Sequence, residues 1–405
     1  MSPVQPFSRR SGGPLVFAAA AAAVVIGASG CTIDLSEFRP GGGEEPSPSP
    51  TPVKAPPLLE SALETLRSQP AVTVQGQISP SQSSTVSDIS LTTTRAGAAS
   101  GTMQVNEAEA QVMQADDRIF VNASDAYWLD RDIVNPDTGS YADTWTRVTG
   151  EQVGVDPAAM LAPAQLADII AGMAPDTGRA RLENLDGTTA YRVDLQGGEQ
   201  NRVWIGEESG ELLRAEIEQL APKGADSGPR SRLNFSVPES SEVQTLYDDV
   251  LAVAQDELKN SPDARMAVAW KGQLDLSCET GGACSVSGTV QDESGSGGDM
   301  SVLVRMDANV KNDELGSKKC DDSASLEAGG SVELSCGVDF ALAPSTSPQT
   351  YQMSGDARLS TQALSGDARE ELVSAIEEQR DAAASGASPS APASESPSAA
   401  QSAGN

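Results

Sequence analysis

From Val72 onward, apolar residues recur at every second position in short runs, and a turn signal stops each run. Val72, Val74 and Ile78 are followed by Ile89 and Leu91, by Met103 and Val105, by Ala108, Ala110 and Val112, and by Ile119 and Val121. Gly97, Gly101, Asn106-Glu107 and Asp116-Asp117 punctuate the series. A period of two places alternate side chains on one face of a pleated strand. The pattern therefore predicts a meander of short antiparallel strands with one apolar face. It resumes with Leu182, a turn at Asp186-Gly187, Tyr191-Val193-Leu195, Val203-Trp204-Ile205, a turn at Ser209-Gly210, Leu213-Ala215-Ile217 and Leu233-Phe235-Val237.

Two stretches break the alternation. Leu58, Leu59, Ala62, Leu63 and Leu66 have helical spacing, as do Leu166, Ile169, Ile170 and Met173 behind Pro163. The expected order over 58–238 is helix, about six strands, helix, about five strands. A large curved sheet with few helices must cover its apolar face with them or leave a hollow between the layers. The positions expected to face such a hollow are Val72, Val74, Ile89, Leu91, Met103, Val105, Leu166, Ile169, Ile170 and Met173. Aromatic residues make up 4% of the chain, so aliphatic side chains would form the walls. Aliphatic walls suit acyl chains better than stacked rings.

Beyond Pro238, the residues Val243, Leu246, Tyr247, Val250, Leu251, Ala254 and Leu258 predict an amphipathic connecting helix over 239–262. It is read as capped by serine and stopped at Asn260-Ser261-Pro262. Alternation then returns at Leu274-Leu276-Cys278, Val286-Gly288-Val290, Val302-Val304-Met306, Val332 to Phe340 and Tyr351-Met353. Six or seven strands over 264–362 suggest a small β-sandwich. Cys278, Cys284, Cys320 and Cys336 all fall there, and an even count in an exported domain points to disulfides with three possible connectivities. Pairing Cys278 with Cys284 and Cys320 with Cys336 closes the short local loops. The rival, a zinc site of four thiolates, lacks the tight CxxC knuckle. A further helix is expected at 363–383, then a Pro/Ser/Ala-rich disordered tail at 384–405.

The first thirty residues have the form of an address. Arg9 and Arg10 precede the apolar run Leu15 to Ala28, which ends in Ala28-Ser29-Gly30-Cys31. That run suits a signal peptide and is too short to span a bilayer. Small residues leading to a cysteine resemble the lipobox of bacterial lipoproteins, although Ala28 stands where Leu is usual. The resemblance implies cleavage before Cys31, acylation of its thiol by lipid of the palmitate type, and anchoring at the outer face of the cytoplasmic membrane. Residues 31–57 are Pro/Ser/Gly-rich and read as a disordered stalk, with a reach on the order of 80 Å if extended as polyproline II.

Charge and residue usage exclude several classes. The net charge is −31, and nucleic-acid binding needs clustered Lys and Arg, so no nucleic-acid partner is expected. The chain has no histidine, the commonest general base and metal ligand. It carries no P-loop, GxSxG or SxxK motif, so no enzyme activity and no cofactor are expected. Asp130, Asp132, Asp137 and Asp143 crowd one loop, but Tyr141 stands where an EF-hand requires Glu. They are read as a solvated acidic loop and not as a metal site.

The meander with YWL at 127–129, WTRV at 145–148, a middle helix and RVWIGEESGELLRAEI at 202–217 looks like the LppX/LprG-type lipoproteins of actinobacteria, half-barrel relatives of the LolA/LolB carriers. That likeness spans roughly 58–238 and implies a lipid or lipoglycan held between sheet and helices. The stretch from Trp270 through CETGGACSVSGTVQD to ELSCGVDF resembles immunoglobulin-like extracytoplasmic modules. The expectation is a mainly β chain with a few helices: a curved antiparallel half-barrel covered by helices, followed by a sandwich. Its expected role is a membrane-tethered lipid or lipoglycan binder. The alternative is a closed-core envelope module that binds another protein or a wall polymer.

Overall fold

The computed structural model describes residues 53–80, 85–133, 140–225, 227–294, 300–343, 347 and 349–385. Cys31, the signal segment, most of the stalk, Asp137 and the tail from 386 lie outside these residues.

The chain is mainly β and antiparallel. Helix α1 (Ala55–Ser68) leads into a meander of β1 (Ala71–Ser79), β2 (Ser87–Thr94), β3 (Ala99–Val105), β4 (Ala108–Ala115) and β5 (Arg118–Ala123). A short helix α2 (Asp125–Asp130) precedes β6 (Thr146–Val148). The YWL stretch thus sits on a helix inside the meander. Helices α3 (Gly150–Val153), α4 (Pro157–Leu161) and α5 (Pro163–Ala171) then carry the chain across. A second meander follows: β7 (Arg181–Leu185), β8 (Thr188–Asp194), β9 (Arg202–Gly206), β10 (Leu212–Ile217) and β11 (Arg230–Ser236).

All eleven strands form one open sheet in the order β6-β5-β4-β3-β2-β1-β11-β10-β9-β8-β7. The two meanders therefore meet at the centre, where β1 pairs with β11 from Thr73 opposite Ser236 to Ser79 opposite Arg230. The edges β6 and β7 do not pair with each other, so the barrel stays open. Two strand glycines, Gly76 and Gly101, sit at inner-face positions with φ of 151° and 155°. A Cβ on either would collide with the neighbouring strand, at the carbonyl of Arg232 or of Ser90. Their missing side chains let the strands approach closely where the sheet bends.

Parity sorts the two faces. On the inner face Val72, Val74, Ile89, Leu91, Met103, Val105, Val112, Ile119 and Val121 join Leu59, Leu63 and Leu66 of α1 and Leu166 and Ile170 of α5 in one buried cluster. Each such side chain contributes roughly 1.5–3 kcal/mol through removal from water. On the outer face Ala71, Met113, Ala115 and Phe120 meet Trp145 and a second layer of helices. That layer is α6 (Ser240–Ala252) and, from the far end of the chain, α7 (Gly366–Ser385). Helix α6 continues through a π-helical turn, Val253–Glu257, and a single 3-10 turn, Leu258–Asn260. Glu239 occupies its N-cap and donates its N–H to the Glu242 carboxylate at 2.7 Å, so the serine cap expected from sequence is replaced by a Glu pair.

Between α6 and α7 lie β12 (Val268–Trp270), β13 (Asp275–Cys278), β14 (Ala283–Asp292), β15 (Ser301–Asn312), β16 (Gly316–Glu327), β17 (Ser331–Asp339) and β18 (Ser354–Gln362). They make a four-stranded sheet, in which β14 pairs with β12, β13 and β17, and a three-stranded sheet β16-β15-β18. Val286, Val290 and Leu334 of the first sheet and Val302, Val304, Met306 and Val310 of the second share one buried cluster. Tyr351 and Met353, expected within a strand, fall just before β18. Strand β16 was not expected, because only Leu326 on it is fully buried.

Candidate functional site

The residues expected to line a cavity lie together on the inner face. Val72, Val74, Ile89, Leu91, Met103, Val105, Leu166, Ile169 and Ile170 are buried within the inner cluster, and the half-buried Met173 packs against it. In this conformation they touch one another and α1, with side chains where the sequence suggests a hollow. The three clefts described below are lined by none of the ten.

The largest of these clefts, about 850 Å³, lies at one end of the inner cluster. Val155, Met160 and Leu220 belong to both the cluster and the cleft wall. Asp130, Arg131, Asp132, Glu151 and Asp156 give the same wall a mixed and mainly acidic lining. Asp156 is occupied structurally, since it caps α4 through the N–H of Ala159 at 3.0 Å and accepts from Gln114 Nε2 at 3.0 Å. Arg131 turns inward. Its Nη2 donates to Ser87 Oγ at 2.8 Å and to Met103 Sδ at 3.2 Å, while Nε is buried without an acceptor among the described residues. The Tyr127 hydroxyl also donates to Met103 Sδ, at 3.6 Å, and the guanidinium lies 5.7 Å from the Tyr127 ring centroid. Burial pushes the Tyr127 phenol above its ordinary pKa, with the Arg131 charge opposing. Arg131 and Tyr127 thus form a polar plug over Met103 at the cluster's end. Trp128 and Tyr141 back it, edge to face at 5.6 Å, with Trp128 Nε1 donating to the Tyr141 carbonyl at 3.1 Å.

A second cleft of about 730 Å³ lies on the outer side, between Pro70, Arg95, Val243, Tyr247 and Gln379. A third, about 310 Å³, lies beside β10 and β11 between Arg202, Glu216, Arg230 and Arg232.

A polar joint ties the large sheet to the strands that follow α6. Asp263, 1% exposed, accepts from Arg265 Nε at 2.9 Å and Nη2 at 2.7 Å. Its own N–H donates to Thr361 Oγ1 at 2.9 Å, and the Tyr141 hydroxyl donates to its carbonyl at 3.5 Å. Arg147 of β6 donates to the Ala363 carbonyl at 3.3 Å. Burial lowers Arg147 to a pKa of about 10, with the nearby Arg265 charge acting in the same direction and Asp263 opposing. The sequence held no periodic signal for this joint, because its members come from four separate segments.

The cysteines are paired as Cys278–Cys284 and Cys320–Cys336. The first bond closes the β13–β14 hairpin, and the second links β16 to β17, one strand from each small sheet. No thiolates therefore remain there for zinc. Among the described residues no three of Asp, Glu and Cys are placed to hold a metal ion. No helix among the described residues is long and apolar enough to cross a membrane.

No family model matches the chain, and no curated protein matches it. Solved structures that resemble it are distant. LprF from Mycobacterium bovis is 13% identical with a TM-score of 0.30, over 46% of this chain and 96% of that one. MucB is 12% identical at a TM-score of 0.24, over 70% of this chain and 92% of its own. MucB in complex with MucA(peri) is 13% identical at 0.22, over 67% and 93%.

Proposed function

We propose that the chain is a lipid-anchored module of the cell envelope, tethered through Cys31, that binds through its surface and catalyses no reaction. One observation carries the choice between the two sequence-based readings. The ten inner-face positions pack in one cluster with α1, and none of them lines the three clefts described above. A carrier with a permanent cavity would show several hundred Å³ walled by those aliphatics. The non-enzymatic reading rests on the lack of histidine and of any nucleophile–base motif.

A second reading keeps the lipid. The cleft of about 850 Å³ opens onto Val155, Met160 and Leu220, so an acyl chain could enter by displacing the Arg131–Tyr127 plug. Native mass spectrometry of the protein purified from its host's membrane separates the two. Beyond the lipid bonded to Cys31, no stoichiometric lipid adduct is expected. A second, noncovalent acylated lipid at one per chain would overturn the closed-module reading and establish the carrier.

A further inference from the structure

The outer side of the large sheet holds a groove whose ion pairs do not use up its cations. Strand β11 alternates, with Ser231 and Leu233 buried and Arg230 and Arg232 on the outer side. Strand pairing sets Arg232 between Gln77 of β1 and Glu216 of β10, and Glu216 in turn faces Arg202 of β9. These four residues, with Arg230, Gln200 and Glu218, wall the cleft of about 310 Å³. No residue of α6 or α7 lines it.

The charge in the groove runs against that of the chain. Overall, 27 cationic side chains stand against 58 acidic ones, yet here three guanidiniums meet two carboxylates. Both carboxylates are already engaged. Glu216, with its side chain 17% exposed, accepts from Arg202 Nε at 2.7 Å and lies 3.3 Å from Arg232 Nε. Glu218 accepts the Gln200 N–H at 3.0 Å. The arginines, in contrast, keep donors in reserve, since each guanidinium carries its N–H groups in a planar fork. Arg232, 62% exposed, turns its Nε to Glu216, and the exposed Arg230 has no ion pair among the described residues. At physiological ionic strength, charges beyond about 8 Å are largely screened. The groove's own sign therefore decides what settles there, and that sign is positive.

We propose that this groove binds a phosphate group, either as a soluble phosphate or phosphate monoester or as the monoester head of a lipid. A carboxylate offers two oxygens to the unspent donors of Arg230 and Arg232. A phosphate monoester offers three, at a charge of about −1.5 to −2, and suits the arginine fork. The volume stands at the low end of small-ligand sites, so it admits the phosphate and a short carbon stub. Val86, 46% exposed on the groove wall, gives that stub an apolar contact. The groove lies on the outer face, so its occupancy is independent of whether the inner face opens for an acyl chain.

NMR of the arginine Nε–H groups tests this on the full chain carrying Cys31→Ser, titrated with inorganic phosphate and with glycerol 3-phosphate at constant ionic strength. The Arg230 and Arg232 signals should shift and saturate. Arg230→Gln with Arg232→Gln should weaken binding by about tenfold or more. Arg230→Lys with Arg232→Lys keeps the charge but loses the fork, and should fall between that variant and the parent. Both pairs alter exposed side chains, and a urea midpoint equal to the parent's shows the variants to be folded. Flotation with phosphatidylcholine vesicles, with and without phosphatidic acid, separates the sources. Retention that needs both phosphatidic acid and the two arginines assigns a lipid head, and phosphate binding without such retention assigns a soluble ester. Shifts that do not saturate, or that fall equally on other arginines, would overturn the proposal. So would binding that survives in the Gln variant, or acetate that competes as well as phosphate.

Discussion

The two halves of the eleven-stranded sheet share one inner face and differ on the outer one. In β1–β6 the outer face carries Ala71, Met113, Ala115 and Phe120, and α6 and α7 cover it. In β7–β11 the outer face is a lattice of ion pairs. Glu216 pairs with Arg202 and with Arg232, Arg192 pairs with Glu183 and Asp194, and Arg214 pairs with Asp186. The inner alternation is therefore common to the whole sheet, and outer-face chemistry decides which half the later helices can cover. The covered half is a scaffold. The charged half faces water.

The largest effect should come from breaking the covered face. Phe120 is fully buried in the cluster that the outer face shares with α6 and α7, and Phe120→Ala should cost about 3–5 kcal/mol in a urea titration. A cost under about 1 kcal/mol would show that the helices do not seal that face.

Ile170→Trp sharpens what the halves share. If the inner face is packed solid, the larger ring should destabilise the fold by about 1–3 kcal/mol. An unchanged midpoint would reveal spare room behind α5 and revive the carrier reading.

The smallest effect is expected on the charged half. A double-mutant cycle on Arg202→Ala and Glu216→Ala should give a coupling below about 1 kcal/mol that shrinks further in added salt, since the guanidinium side chain is 36% exposed. A coupling of several kcal/mol would erase the contrast between the faces.

The inner face was legible in the sequence because a half-buried strand writes its burial as alternation, and the order of six strands, helices and five strands follows from it. The outer face of the covered half was harder. Ile119-Phe120-Val121 and Val112-Met113 are unbroken apolar runs, the mark of strands buried on both sides, and they point to a second layer. Strand β16 left almost no trace, because its run GSKKCDDSASLE packs few apolar side chains and is held by pairing with β15 along its whole length. Of the candidate site, the ten positions were found as a group. Whether they line a hollow depends on side-chain volume, which period alone does not encode. The Arg131–Tyr127 plug was out of reach because it joins residues of α2 and its C-cap to Met103 of β3.

The central seam has a consequence for the order in which the molecule can form. β1 waits for β11, more than a hundred and fifty residues later, and the outer layer waits for α7 at the end of the described chain. The first meander can assemble from near neighbours, but its β1 edge stays bare until the second has been made, and the outer face around Phe120 stays wet until the outer helices arrive. Long-range pairing of this kind is slow and exposes sticky intermediates. A chain arrested anywhere before residue 230 would therefore present an unpaired strand and an uncovered apolar face together, a ready substrate for proteolysis. The seam can close once β11 is made, whereas the outer layer is complete only with α7, the last described helix.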